Sequence, residues 1–286
     1  MMKTILASLT GLSSDRTVLD AAIAAARIDD AHVLCLHTRI DPAETTALYK
    51  SMTPRHVELM SEISRKIAAE EKGRSEHAKA AFQDACKRHS LNVCEAPSGK
   101  AGISIAWKEV ETLLNRTLHE ARYHDLVVMA RDAELSSERI KSVLMQSGRP
   151  ILLAPPKPVD VIGRKVAIAW KAGAEAARAL SAASSLLSRA EEIAILAVSE
   201  GRAEDDRASA DYLAGQLRWR GVKVEVHWEP SGTPSASRKI LDAAYNCDAD
   251  LLVMGAYGHS RVREFVFGGV TQDILSDCAL PVLMFH

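Results

Sequence analysis

The chain repeats itself, and the repeat is the size of a domain. "APSG" at 96–99 returns as "EPSG" at 229–232, "DLVVMA" at 125–130 as "DLLVMG" at 250–255, and "RPILLAP" at 149–155 as "LPVLMFH" at 280–286. The order is kept, and each half opens with a short apolar run, "KTILASL" and "KVAIAW". A period of about 130 residues is far beyond the 20–50 of a solenoid, so a whole domain is duplicated. The seam is "APPKPVDVIGRK" at 154–165, whose three prolines block both helix and central strand. The expected domains are therefore residues 1–155 and 163–286.

Within each half, apolar runs alternate with stretches of helical periodicity. Strands are expected near 3–9, 32–38, 91–95, 125–130 and 150–154, then near 165–170, 192–198, 222–228, 250–255 and 281–285. Helices are expected near 14–29, 55–89, 104–122 and 134–147, then near 174–188, 204–220, 233–246 and 270–278. Such alternation implies right-handed crossovers. The fold class is α/β: two tandem, open-twisted, five-stranded parallel sheets with helices on both faces. Met1 to Thr10 has some look of a signal peptide, but its apolar stretch is short and reads as a first strand.

Composition narrows the function. The 36 basic and 37 acidic residues leave a net charge of −1, which argues against a nucleic-acid binder that works by broad attraction. No run approaches the roughly 20 apolar residues that span a bilayer. The five cysteines, Cys35, Cys86, Cys94, Cys247 and Cys278, form no CxxC pair and no zinc-like spacing, which suits plain thiols in a reducing cytoplasm. Nor is there a G-x-S-x-G elbow or an H-E-x-x-H helix. Asp248 and Asp250 flank a strand start and read as polar punctuation rather than as an acid–base pair.

Ligands of such sheets sit at the carboxyl ends of strands where strand order reverses, so the loops after the first and fourth strands of each half matter most. After the fourth strand of the second half comes "GAYGHSRVREFVFGGVT", 255–271. Glycine lets a ligand approach the backbone, and Gly268, Gly269, Val270 and Thr271 fall where the last helix starts. Its free N–H groups and positive dipole end suit a phosphate, with the Thr271 hydroxyl as a further donor. The pattern is neither a Walker A loop nor a GxGxxG turn. The same loop also reads as a plain structural turn. His259, Arg261 and Arg263 suit either phosphate contact or a solvated helix face, and Trp170 either base stacking or core.

Gly255-x-x-Gly258, nine residues, then Gly268-Gly269-Val270-Thr271 resembles the ATP-binding signature of the universal stress protein family, and the closing "LPVLMFH" is similar to that family's last strand. The resemblance covers the chain as two tandem family domains, with the signature in the second alone. It implies a paired arrangement like the family's usual homodimer, adenine-nucleotide binding by some members, and a stress-survival role. Met254 and Gly255 would then lie at the base and ribose, with Val198 beside the adenine. Gly258, Gly268, Val270 and Thr271 would line the phosphates.

Two positions depart from the family pattern. Gly269 stands where Ser or Thr is usual, and Lys171 in "AWKAG" stands where nucleotide-binding members have an acid. Lysine accepts no hydrogen bond from a ribose or an adenine amine, though it reaches a phosphate as a point charge. In the first half, Leu9-Thr10-Gly11 has no acid and Ala130-Arg131-Asp132-Ala133-Glu134 has no glycine, so that site reads as degenerate. The expected function is a regulatory module binding an adenine nucleotide, ATP or AMP, in the second half, with magnesium left open. The alternatives are a nucleotide-independent scaffold working through protein partners and, third, a slow ATPase. An internal pseudo-dimer is expected, with a further homodimer left open.

Overall fold

The computed structural model describes residues 1–39, 54–96, 101–111, 116–131, 137–199, 203–256 and 269–286. Its strands are β1 (Thr4–Leu9), β2 (His32–Arg39), β3 (Asn92–Val93), β4 (Ser104–Glu111), β5 (Leu126–Met129) and β6 (Ile151–Leu153) in the first half. In the second they are β7 (Lys165–Ala169), β8 (Glu192–Val198), β9 (Lys223–Glu229), β10 (Leu251–Gly255) and β11 (Val282–Phe285). The helices are α1 (Asp15–Asp29), α2 (Pro54–Arg88), α3 (Arg116–Ala121), α4 (Ser137–Gln146), α5 (Ala174–Ala182), α6 (Ser184–Leu187), α7 (Ala203–Arg218), α8 (Ala236–Asn246) and α9 (Gly269–Asp277).

All strands join one eleven-stranded sheet in the order β3-β4-β2-β1-β5-β6-β11-β10-β7-β8-β9. Pairing is parallel within each half and antiparallel only where the halves meet, at Val282 opposite Leu153, Leu283 opposite Leu152 and Met284 opposite Ile151. The carboxyl ends of the strands in one half therefore lie at the opposite edge of the sheet from those of the other. Strand order reverses at β1, between β2 and β5, and again at β7, between β8 and β10.

Side chains alternate between the two faces, as a pleat requires. Ile5, Val33, Ile168 and Val253 bury against α1, α2, α5, α6 and α7. Leu6, Ala167, Leu252 and Met284 bury against α3, α4, α8 and α9. The central strands are apolar on both sides because helices cover both.

The expected helix over 104–122 is a strand over Ser104–Glu111 followed by the short α3. Ile103, Trp107 and Val110 recur at helical spacing while Ile105 and Trp107 recur at strand spacing, and pairing decides: β4 lies in register with the whole of β2, from His32 opposite Ser104 to Arg39 opposite Glu111. Arg39 Nε lies 3.0 Å from Glu109 Oε1, and His32 Nδ1 lies 2.8 Å from Ser104 Oγ. The first half thus carries six strands rather than five, and the strand expected at 91–95 is a two-residue edge beyond β4.

The duplication extends to hydrogen bonds. Asp125 Oδ2, just before β5, accepts from Lys3 N at 2.8 Å, Thr4 N at 3.0 Å and Thr4 Oγ1 at 3.2 Å. Asp250, just before β10, accepts from Gly163 N at 2.6 Å and Arg164 N at 3.0 Å. Each acid ties the entry of its half's first strand to the strand beside it, β1 to β5 and β7 to β10, which is the structural role read for Asp250. Asp248 pairs with Lys165 at 3.4 Å.

Burial pushes the Asp125 carboxyl up, but its hydrogen bonds outweigh that and hold it below the ordinary aspartate range. Its stabilisation is then full above about pH 4, the unfolded value, and is lost as pH falls through the lower folded value. Asp125→Asn should cost stability at about pH 7 and match wild type well below about pH 4, read by urea melts at both. An equal loss at both would show that its charge is not what binds.

Candidate functional site

The second-half strand reversal opens a crevice at the carboxyl edge. From β7 the chain turns into α5 on one face, and from β10 it returns through α9 on the other, so the starts of both helices face the same edge. Met254 is buried, while Val198 and Val270 are half-buried, and all three pack on the face that carries α9. Gly269 begins α9, and no described atom lies within 4 Å of where a Cβ on it would stand. Thr271 sits buried in the same first turn, which holds no acidic residue. A helix start with a hydroxyl, no acidic residue in its first turn and, among the described residues, no partner for its first N–H groups suits an anion.

Gly255 has a separate reason to be glycine. A Cβ there would lie 2.6 Å from Ala176 N and 2.7 Å from Glu175 C, both main-chain atoms of α5. The residue lets α5 press its first turn directly on the end of β10. Gly258, Gly268, His259, Arg261 and Arg263 lie outside the described residues.

Trp170 packs on the opposite face from Met254 and Val198, and its Nε1 donates to Ser209 Oγ of α7 at 3.0 Å. Packing and this hydrogen bond hold the indole on the face away from Met254. Lys171 is exposed at the end of β7.

At the first half's reversal the same position is closed. Asp15 Oδ1 accepts from Thr10 N at 2.7 Å and Thr10 Oγ1 at 3.1 Å, and its Oδ2 from Gly11 N at 2.8 Å. Burial pushes this carboxyl up against those hydrogen bonds. Arg139 of α4 donates to Thr117 Oγ1 at 2.9 Å and Ser8 Oγ at 3.3 Å, its guanidinium pushed down by burial and held charged by Asp15. The N–H groups after β1 are thus taken by the protein itself. Arg131, where Ala256 stands in the other half, crosses the seam and donates to Leu280 O at 2.8 Å and Ala154 O at 3.3 Å.

Two acids escaped the reading of the strand ends. Asp15 and Glu175 each lie six residues past the last residue of a first strand (9 to 15, 169 to 175), inside the following helix rather than in the loop. The signal was an acid in the first helical turn after the first strand of each half, one residue apart when the halves are aligned by strand register.

A shallow depression at the amino edge of the second half is lined by Lys165, Glu192, Lys223, Glu225 and Cys247. Lys223 there pairs with Glu192 at 3.2 Å and Glu225 at 3.0 Å, so its charges satisfy one another. It lies at the wrong end of the strands for the glycine loop.

The family model described as the Universal stress protein family matches residues 164–286. A universal stress protein of Synechocystis sp. is 28% identical over 174 residues, covering 57% of this chain and 58% of that protein. One of Mycolicibacterium smegmatis is 35% identical over 69 residues, covering 21% of this chain and 53% of that protein. The chain spans little more than half the length of these curated relatives. The crystal structure of a universal stress protein from Archaeoglobus fulgidus aligns over 99% of this chain and 97% of its own at a TM-score of 0.64 and 16% identity. A putative universal stress protein from Pseudomonas aeruginosa aligns over 99% and 93% at a TM-score of 0.60 and 13% identity, and both likenesses show the fold.

Gly255→Ala should push α5 off β10 at a cost of about 1–3 kcal/mol, as overpacking does, because only main chain stands in the way. Urea denaturation would measure it, and a loss under about 0.5 kcal/mol would show that α5 shifts freely.

Proposed function

Because residues 164–286 match the universal stress protein family model, we propose that the second half of the chain is a regulatory module holding an adenine nucleotide, ATP or AMP, in the crevice between α5 and α9. The observation that carries this reading is the start of α9, an anion-ready helix end beside an apolar wall. The phosphates would meet the free N–H groups of Gly269 and Val270 and the Thr271 hydroxyl. The base would lie along Val198 and Met254, with Gly255 beneath the ribose. Lys171 would serve as a point charge toward the phosphates, and Gly258 and Gly268 would line them as the sequence pattern implies.

Main-chain N–H groups, a threonine hydroxyl and an apolar wall hold a ligand but activate no water, so the reading is one of binding rather than turnover. Residues 1–155 and 163–286 act in it as two domains of an internal pseudo-dimer, in a cytoplasmic setting. Among the described residues no helix is long and apolar enough to cross a membrane. Lysine in place of the loop acid favours the second reading, a scaffold that kept the fold and works through protein contacts.

Calorimetric titration of the purified chain with ATP and AMP decides between them. One nucleotide should bind per chain, and Gly269→Ser should tighten it roughly two- to tenfold, since the added hydroxyl enters open space and supplies a neutral hydrogen bond. Absence of binding at about millimolar nucleotide, weaker than about −4 kcal/mol, would leave the scaffold.

A further inference from the structure

The duplication supplies an internal control for the acid that the β7 loop lacks. Asp15 and Glu175 stand one residue apart in the repeat, counted from the equivalent pairs Ile5–Leu126 and Val166–Leu251, and both lie in the first turn of the helix that follows the first strand. Their side chains differ in what they touch. Both Asp15 oxygens are taken by the loop's own donors, Thr10 N, Thr10 Oγ1 and Gly11 N. Asp15 is 1% exposed and has no capacity left facing outward.

Glu175 is half-buried, and its Oε2 lies over Gly173, 3.3 Å from where a Cβ would stand. Among the described residues the Glu175 carboxylate has neither a hydrogen bond nor an ion pair. Its own main chain rests on Gly255, so it stands at the strand reversal between the ends of β7 and β10. A carboxylate with no protein donor among the described residues keeps its acceptor capacity for the donors a ligand brings.

We infer that Glu175 is the ribose acceptor of the second-half site, receiving the vicinal hydroxyls of the nucleotide in place of the acid absent at Lys171. Geometry selects the ribose over the rest of the ligand. The apolar wall of Val198, Met254 and Val270 and the phosphate-ready start of α9 lie on one face of the sheet, and Glu175 comes from the helix on the other. The portion of a nucleotide between base and phosphate is what passes between them. The first half offers no such acceptor, because the equivalent carboxylate has closed on its own loop. This inference rests on the nucleotide reading and adds the group that recognises the sugar.

The test is a two-by-two titration: ATP and 2′,3′-dideoxy-ATP against wild type and Glu175→Gln, by calorimetry, with thermal melts to confirm that the variant folds. Wild type should bind the dideoxy nucleotide about tenfold or more weakly than ATP, as loss of a charge-assisted hydrogen bond predicts. Glu175→Gln should weaken ATP by a similar factor and lose nothing further with the dideoxy nucleotide, because the interaction is already gone. Equal ATP affinity in wild type and variant, or two losses that multiply, would overturn the role of Glu175 while leaving nucleotide binding intact. Wild type that binds neither nucleotide would overturn both readings, and the comparison of the two proteins tells these cases apart.

Discussion

The short antiparallel ladder between β6 and β11 is the constraint from which the arrangement of the halves follows. A five- or six-stranded parallel sheet ending at β6 or β11 would expose an apolar strand with a row of unpaired N–H and C=O groups, a template for aggregation. Here each edge covers the other, and Leu152, Leu153, Val282, Leu283 and Met284 are buried to within 1%. Only three residue pairs carry the junction. Arg131 adds to it from the first half by donating to Leu280 O, where the chain leaves α9 for β11. Burial pushes this guanidinium down, Cys278 and Tyr245 oppose that, and carbonyl oxygens on both sides of the seam accept from it.

Antiparallel joining has a consequence for function. The two strand reversals open at opposite edges of one sheet, so each half faces its own solvent and the two sites cannot share a ligand. They were free to diverge. At β1 the loop N–H groups are saturated by Asp15, with Arg139 behind it, and the place where the other half begins its glycine loop holds Arg131, turned toward the seam. The first crevice has become structure. The second keeps an open helix start at Gly269 and a carboxylate without a protein partner among the described residues.

Much of this was legible in the sequence because it depends on local chemistry or on repetition. Apolar runs bounded by helical periodicity located ten of the strands, and the prolines at 155, 156 and 158 located the seam. The strand at 104–111 was not legible, since Ser104 to Glu111 satisfies either period and only its full-length register with β2 chooses one. Trp170 was ambiguous for a related reason: which face a strand-end side chain takes depends on the pleat, and the pleat places it against Ser209 of α7. The glycines divided in the same way. Gly255 was read for a ligand, whereas the main chain of Glu175 and Ala176 already forbids a side chain there.

That last contact links packing to chemistry. Had position 255 carried a side chain, α5 would have to stand away from β10, and its first turn would no longer reach the crevice. Glycine there brings Glu175 to the strand ends by main-chain contact, so a residue conserving close packing also delivers a carboxylate to the site. The loop acid and the helix acid are then two solutions to one requirement, an acceptor at the reversal between the first and fourth strands. Lysine at 171 is tolerable if the acceptor comes from the helix, and as a point charge it suits the phosphate end. With Glu175 in the proposed role, the departure from the family pattern at 171 and the carboxylate at 175 would be one feature of the site.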